Sequence, residues 1–164
     1  MYPVKLGYGE AVRRINQLLK NGHAAEALVT SAFTAEKTLR RTLKQLVVSA
    51  GFPSKPAEKM VNRFRGLEAL KEGWELFDPK HEALSSIVEK TAWASLKEAQ
   101  TMRNNFVHGT SVYSLSKCDD AARKVLGALD SIVKTFDGRY GYSGWTTVAI
   151  RYKSALHTDP KVKL

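Results

Sequence analysis

Between Ala24 and Ala50 the apolar residues Leu28, Ala32, Ala35, Leu39, Leu43, Leu46 and Ala50 recur at steps of three and four. A strand alternates with period two and would scatter that series over both of its faces, whereas a helix gathers it into one stripe. The spacing therefore predicts a long helix packed along a partner by a continuous seam, ended by Gly51 and Pro53. Helical periodicity continues through most of the chain. Residues 9–20 read as a short amphipathic helix with Val12, Ile15 and Leu19 inward, stopped at Asn21-Gly22. Ser54 or Lys55 leads through Pro56 into a helix carrying Met60, Val61, Phe64 and Leu67. Gly73, Asp78 and Pro79 mark an irregular connection, and a long helix follows from about Ala83 to Val107. Ser116 and Asp119 have capping-box spacing and open a last helix, with Ala122, Val125, Leu126, Leu129, Ile132, Val133 and Phe136 inward and Asp137-Gly138 at its end. The fold class expected is all-α.

The chain divides, on this reading, into a helical bundle over residues 1–137 and a basic, aromatic tail over 138–164 packed on the same domain. Tyr140, Tyr142 and Trp145 lie among glycines ahead of the alternating Val148, Ile150 and Tyr152, which suggests a flap or hairpin. Such a tail either covers the bundle or stacks on unpaired bases. Trp74 and Trp93, at helical spacing, are expected to pack internally.

The charge narrows the partners. The formal net charge is +10, divided as +8 over residues 1–71, −2 over 72–137 and +4 over 138–164. Basic ends around a near-neutral middle fit a polyanion such as RNA, because displaced counterions drive non-specific nucleic-acid binding. Lys59, Arg63 and Arg65, with Arg139 and Arg151 in the tail, are the candidate RNA-binding cations. No apolar run approaches the roughly 20 residues of a membrane span. Cys118 is the only cysteine, so neither an internal disulfide nor a cysteine-rich zinc site can form within one chain, and a cytoplasmic setting is expected. His23, His81 and His157 show no ligand spacing and read as surface residues; no metal site and no cofactor is expected. Glycine-rich phosphate loops and Gly-x-Ser-x-Gly elbows are absent from the sequence.

The most informative stretch is Met102-Arg103-Asn104-Asn105-Phe106-Val107-His108-Gly109. On a helical projection Leu84, Val88, Ala92, Leu96, Ala99, Met102 and Phe106 fall within an arc of roughly 120°, and Arg103 falls inside it. A guanidinium aimed at the packed side needs a carboxylate, a groove or a subunit interface. Glu36, within about 40° of the seam residue Ala32, is a candidate partner for Arg103 or for Arg40. Asn104 and His108 are one turn apart, where the amide can orient the imidazole. Arg103 and His108 diverge by about 140° on an unbroken helix, so joint action requires the helix to end near His108, and Gly109 supplies an ending. From spacing alone the same segment also reads as an ordinary helix C-terminus with a basic residue and a glycine stop.

The pattern Arg103-Asn104-x-x-x-His108-Gly109 at the end of a long helix resembles the signature of the HEPN superfamily. The resemblance spans about residues 9–137 and implies a bundle of four to five helices, with the tail outside it. Many members are toxin or defence endoribonucleases. The resemblance implies Arg103, Asn104 and His108 as catalytic residues, and Glu36, Arg40 and Arg41 look like the glutamate and paired basic residues that some members carry on an early helix. It also implies metal-independent RNA cleavage to a 2′,3′-cyclic phosphate, in a homodimer that brings two motifs to one cleft, with a possible cognate antitoxin or regulatory protein. Members paired with a nucleotidyltransferase antitoxin often carry a tyrosine two residues after the histidine; here that position is Thr110 and the nearest tyrosine is Tyr113. The competing expectations are a non-catalytic dimeric module that binds RNA, nucleotide or a protein partner, and a plain protein-interaction bundle.

Overall fold

In the computed structural model the described residues are 7–146, and every regular element among them is a helix. The order is α1 (Tyr8–Lys20), α2 (Ala24–Ser49), α3 (Ser54–Val61), α4 (Gly66–Phe77), α5 (Leu84–Ile87), α6 (Lys90–Val107) and α7 (Leu115–Tyr140). These seven helices exceed the four to five expected, because two expected helices are divided. The chain forms two compact units, one of residues up to Lys37 with Val88–Thr135, the other of Thr38–Ile87 with the residues from Phe136 on. No helix among the described residues is long and apolar enough to cross a membrane. Val148, Ile150, Tyr152 and Arg151 lie outside the described residues.

Helix α2 follows its seam. Leu28, Ala32, Ala35, Leu39, Leu43 and Leu46 are all buried. A second buried row is polar and comprises Ser31, Thr34, Thr38 and Thr42. The Ser31 hydroxyl donates to the Leu28 carbonyl (2.9 Å), Thr34 to Thr30 (2.7 Å) and Thr42 to Thr38 (2.8 Å), so each satisfies itself on its own helix.

In the first unit Ile15, Leu19, Ala27 and Ala122 form a core against which Leu18 and Leu126 pack. Helix α7 is capped two residues before the expected Ser116: the Ser114 hydroxyl accepts from the Lys117 backbone N–H at 3.2 Å, while Asp119 instead pairs with Arg123. Its far end also differs, running through Gly138 to Tyr140, with Phe136 and Tyr140 both committed to aromatic packing.

The expected helix through Met60, Phe64 and Leu67 divides into α3 and α4. Gly66 adopts φ +81, which a continuous right-handed helix excludes, and Arg40 donates to the Val61 carbonyl at 3.2 Å where α3 ends. Gly73 lies inside α4 rather than in a connection. A side chain there would meet the Phe64 ring at 2.5 Å, so the glycine serves a close approach. The expected helix from Ala83 also divides, because Glu89 takes an extended backbone (ψ 139°) between α5 and α6. Ser85 and Ser86, which compete for backbone hydrogen bonds, form a poor run through that point.

The second unit is closed by a buried carboxylate. Trp74 stacks on Phe136 at 5.0 Å and donates through Nε1 to the Tyr140 hydroxyl. That hydroxyl donates to Asp78 at 2.7 Å. Arg139 grips Asp78 with two hydrogen bonds of 3.1 and 3.0 Å, and the backbone N–H groups of Lys80 and Glu82 complete the set. Arg139 also reaches Glu82 at 3.2 Å. Beyond α7, Tyr142 shares a hydrogen bond with Ser49, Gly144 N–H donates to Gln45 Oε1, and Trp145 Nε1 donates to Thr38 Oγ1 at 2.8 Å. A side chain on Gly144 would meet Arg41 and the Thr42 backbone within 3.0 Å, so the tail lies directly on the C-terminal half of α2. Through residue 146 the chain beyond α7 packs on α2.

Burial pushes the Asp78 carboxyl up, yet the hydrogen bonds from Arg139, Tyr140 and the Glu82 and Lys80 backbones outweigh it and hold the carboxyl down at about 2. The depressed value means this contribution, about 2 kcal/mol, is present above the unfolded value near 4 and is lost as pH falls from there toward 2. Urea titrations at stepped pH should show that loss in the wild type, and Asp78→Asn should flatten it. Asp78→Ala should cost about 3 kcal/mol at pH 7, since it leaves a mostly buried guanidinium with Glu82 alone. An unchanged pH profile in Asp78→Asn would show that the carboxylate does not carry this dependence.

Candidate functional site

Helix α6 ends in a Schellman arrangement. The Thr110 N–H donates to the Asn105 carbonyl at 2.9 Å and the Gly109 N–H to the Phe106 carbonyl at 3.2 Å, with Gly109 at φ +65. Glycine is suited to that left-handed position, so the helix ends directly after His108. His108 itself remains close to helical (φ −85, ψ 0) and donates its backbone N–H to the Asn104 carbonyl. Its side chain therefore departs in nearly the direction a continuing helix would give it. The ending does not turn His108 toward Arg103, and the divergence of about 140° persists within one chain.

Arg103 behaves as its place in the apolar arc requires. Its guanidinium lies 3.8 Å from the Glu36 carboxylate and 5.7 Å above the Phe33 ring, with side-chain exposures of 25% for Arg103 and 17% for Glu36. The distance describes an ion pair rather than a tight hydrogen bond. Arg103 is one of the two partners expected for Glu36, and the carboxylate reaches it. Ala92, Leu96, Ala99 and Met102 are buried as the arc implies, whereas Phe106 is not and keeps 42% of its surface. Arg40 donates to the Val61 carbonyl, and Arg41 lies 5.0 Å over the Trp145 ring.

Asn104 and His108 are exposed, and among the described residues no side-chain hydrogen bond joins the amide to the imidazole. It is the neighbouring amide that is engaged: Asn105 Nδ2 donates to the Tyr113 hydroxyl at 2.9 Å. The contact holds the 109–114 loop back onto α6, and Lys117 places its ammonium 5.2 Å over the same ring. Sequence reasoning missed Asn105 and Tyr113, since an eight-residue separation across a turn carries no periodic signal. Around the motif Phe33, Val107, Val112 and Leu115 are exposed apolar residues, Val112 at 96%.

Lys59, Arg63 and Arg65 are all exposed at the α3–α4 junction, while Arg139 is drawn into the Asp78 clasp and is not a free surface cation. His23 and His81 are exposed. Cys118 is buried, and burial pushes its thiol pKa up, the opposite of what a nucleophile needs. No group of three or more His, Cys, Asp or Glu residues able to hold a metal ion occurs among the described residues. No protein-family model, curated protein or solved structure matches the chain.

A partly buried pair of opposite charges should be coupled. Arg103→Ala and Glu36→Ala, alone and together, should give a double-mutant coupling of about 1 kcal/mol in urea unfolding, the second substitution costing less once the first is made. Strict additivity would show that the two side chains do not act on one another.

Proposed function

We propose that the chain is a HEPN-type endoribonuclease, of the toxin or defence kind, that cleaves RNA as a homodimer. The observation that carries the reading is the motif at the end of α6, with Arg103 turned inward against Glu36 and the His108 imidazole left in solvent. The residue types suit transesterification. The ribose 2′-oxygen attacks the adjacent phosphorus, the bond to the 5′-oxygen breaks, and a 2′,3′-cyclic phosphate and a 5′-hydroxyl result. One proton must leave the 2′-hydroxyl and one must reach the departing 5′-oxygen. His108 is the group suited to proton transfer near neutral pH, and Arg103 to the charge that grows on the phosphoryl oxygens. Neither role calls on a metal. Asn104, exposed beside them, is placed to contact substrate.

The same geometry supports a dimer. Arg103 and His108 of one chain point apart, so a cleft that uses both is most simply built from two chains about a two-fold axis. Phe106, Val107, Val112 and Leu115, exposed around the motif, supply apolar area for such an interface. The net charge of +10 and the exposed Lys59, Arg63 and Arg65 suit RNA. A cytoplasmic setting, where RNA is abundant and thiols stay reduced, suits a single buried cysteine. A cognate antitoxin or regulatory protein would complete a toxin's control. One observation favours a second reading, a non-catalytic dimeric module binding RNA, nucleotide or a protein: no side chain among the described residues fixes the His108 tautomer.

Purified protein incubated with RNA in EDTA should release 2′,3′-cyclic phosphate ends, and His108→Ala should lower that rate by roughly 10² to 10⁴-fold with RNA affinity intact. A folded dimer that binds RNA and cuts it neither in EDTA nor in magnesium would overturn the enzyme in favour of the module. Val107→Lys with Val112→Lys would set like charges against each other across a two-fold interface and should raise the dimer dissociation constant by roughly 100-fold or more in sedimentation equilibrium. A dimer unmoved by both would place the interface elsewhere.

A further inference from the structure

Beside the motif, the first unit holds a groove of ≈ 380 Å³ whose lining includes Ala94, Lys97, Glu98, Met102, Tyr113 and Lys117. We infer that this groove is a binding subsite for a single-stranded RNA nucleotide neighbouring the one that is cut, with Lys117 and Lys97 meeting the phosphate and Tyr113 the base. The inference rests on the RNA reading above and adds a place on the protein to it.

Three features support that occupant. The charge is positive: two lysines line the groove, and its one carboxylate, Glu98, is already paired with Lys124 at 3.7 Å. Among the described residues Lys117 has no carboxylate partner, and its ammonium rests over the Tyr113 ring. The wall carries an aromatic ring fixed in place, since the Tyr113 hydroxyl accepts from Asn105 and cannot swing freely. Ala94 and Met102 make the remaining wall apolar, as the flat face of a base requires. Cations beside an aromatic ring are how single strands are held without sequence readout. The groove is also connected to the motif. Thr101 and Met102 directly precede Arg103, and from Thr101 to His108 the helix rises about 10 Å, a reach appropriate to a neighbouring nucleotide. Asn105, inside the motif, is the residue that sets the ring.

A phosphate contact and a stacking contact leave different marks. Binding is measured by fluorescence anisotropy on the full chain with a 2′-O-methyl single-stranded oligonucleotide, which cannot undergo 2′-hydroxyl attack, at several salt concentrations. Lys117→Ala should weaken binding and reduce the log-log salt slope by about 0.7, the share of one single-strand phosphate contact. Tyr113→Ala should weaken binding by roughly 5- to 100-fold with the slope unchanged. Tyr113→Phe, which keeps the ring but loses the bond to Asn105 that fixes it, should weaken binding less than Tyr113→Ala does, again with the slope unchanged. Lys117 is exposed, so its substitution tests the groove even where Tyr113→Ala fails to fold. Wild-type affinity and slope in Lys117→Ala, with Lys59→Ala reducing both, would overturn the groove and leave the RNA reading standing. No binding by the wild type would overturn both. Binding that depends on Lys117 in a protein that never cuts RNA would uphold the groove and overturn only the catalysis.

Discussion

Both units draw on α2, and α2 can serve them because its buried surface is mixed. One row is apolar, Leu28 through Leu46; the row beside it is Ser31, Thr34, Thr38 and Thr42, whose short side chains are small enough for close approach. Buried hydroxyls without partners would each cost more than the packing returns. Donating back to carbonyls three or four residues earlier removes that cost for Ser31, Thr34 and Thr42. Thr38 accepts from the Trp145 indole, so the same row that packs α2 also holds the chain beyond α7. The seam thus fixes a helix and, through one hydroxyl, the course of a segment more than a hundred residues away.

Charge is handled in two different ways. Asp78 is wholly buried and makes five hydrogen bonds, two to Arg139, one to Tyr140 and two to backbone, an arrangement that holds the unit together and leaves no valence for a ligand. Arg103 and Glu36 are neither wholly buried nor tightly joined, at 3.8 Å and with a quarter of the arginine side chain still exposed. A guanidinium so held has donors left over. The contrast separates an ion pair enclosed by the fold from one left open at the surface.

What the sequence disclosed and what it hid follow from the range of each signal. Periodicity reports which face is buried over several turns, and it placed the α2 seam, the inward face of α7, the burial of Trp74 and the inward turn of Arg103 with Glu36 as partner. It does not report a break inside an apolar run. The division at Gly66 depends on a left-handed backbone, and that at Glu89 on an extended residue with neither glycine nor proline beside it. Single-contact chemistry between distant residues was equally silent: Asp78 looked like a turn residue, Gly138 like a stop, and Arg139 like a free cation for RNA, yet one ion pair claims two of them. The 109–114 loop hid in the same way, because the bond from Asn105 to Tyr113 has no periodic trace.

The orientation of His108 decides how the motif can work. A Schellman ending reverses the chain after the C-cap but leaves the C-cap side chain on its helical bearing, since the left-handed residue is the glycine that follows. His108 therefore stays about 140° from Arg103 around the α6 axis. Arg103 is drawn toward α2 by Glu36 and Phe33, and His108 stands in solvent. A single chain so arranged presents an imidazole and a guanidinium on different sides of one helix. Two chains related by a two-fold axis could return them to one place, each histidine approaching the other chain's arginine, and Phe106, Val107, Val112 and Leu115 are exposed apolar residues available to such an interface. On the proposed reading, a site that uses both side chains is assembled only by association, and the apolar residues around the motif bear on it as directly as the imidazole does.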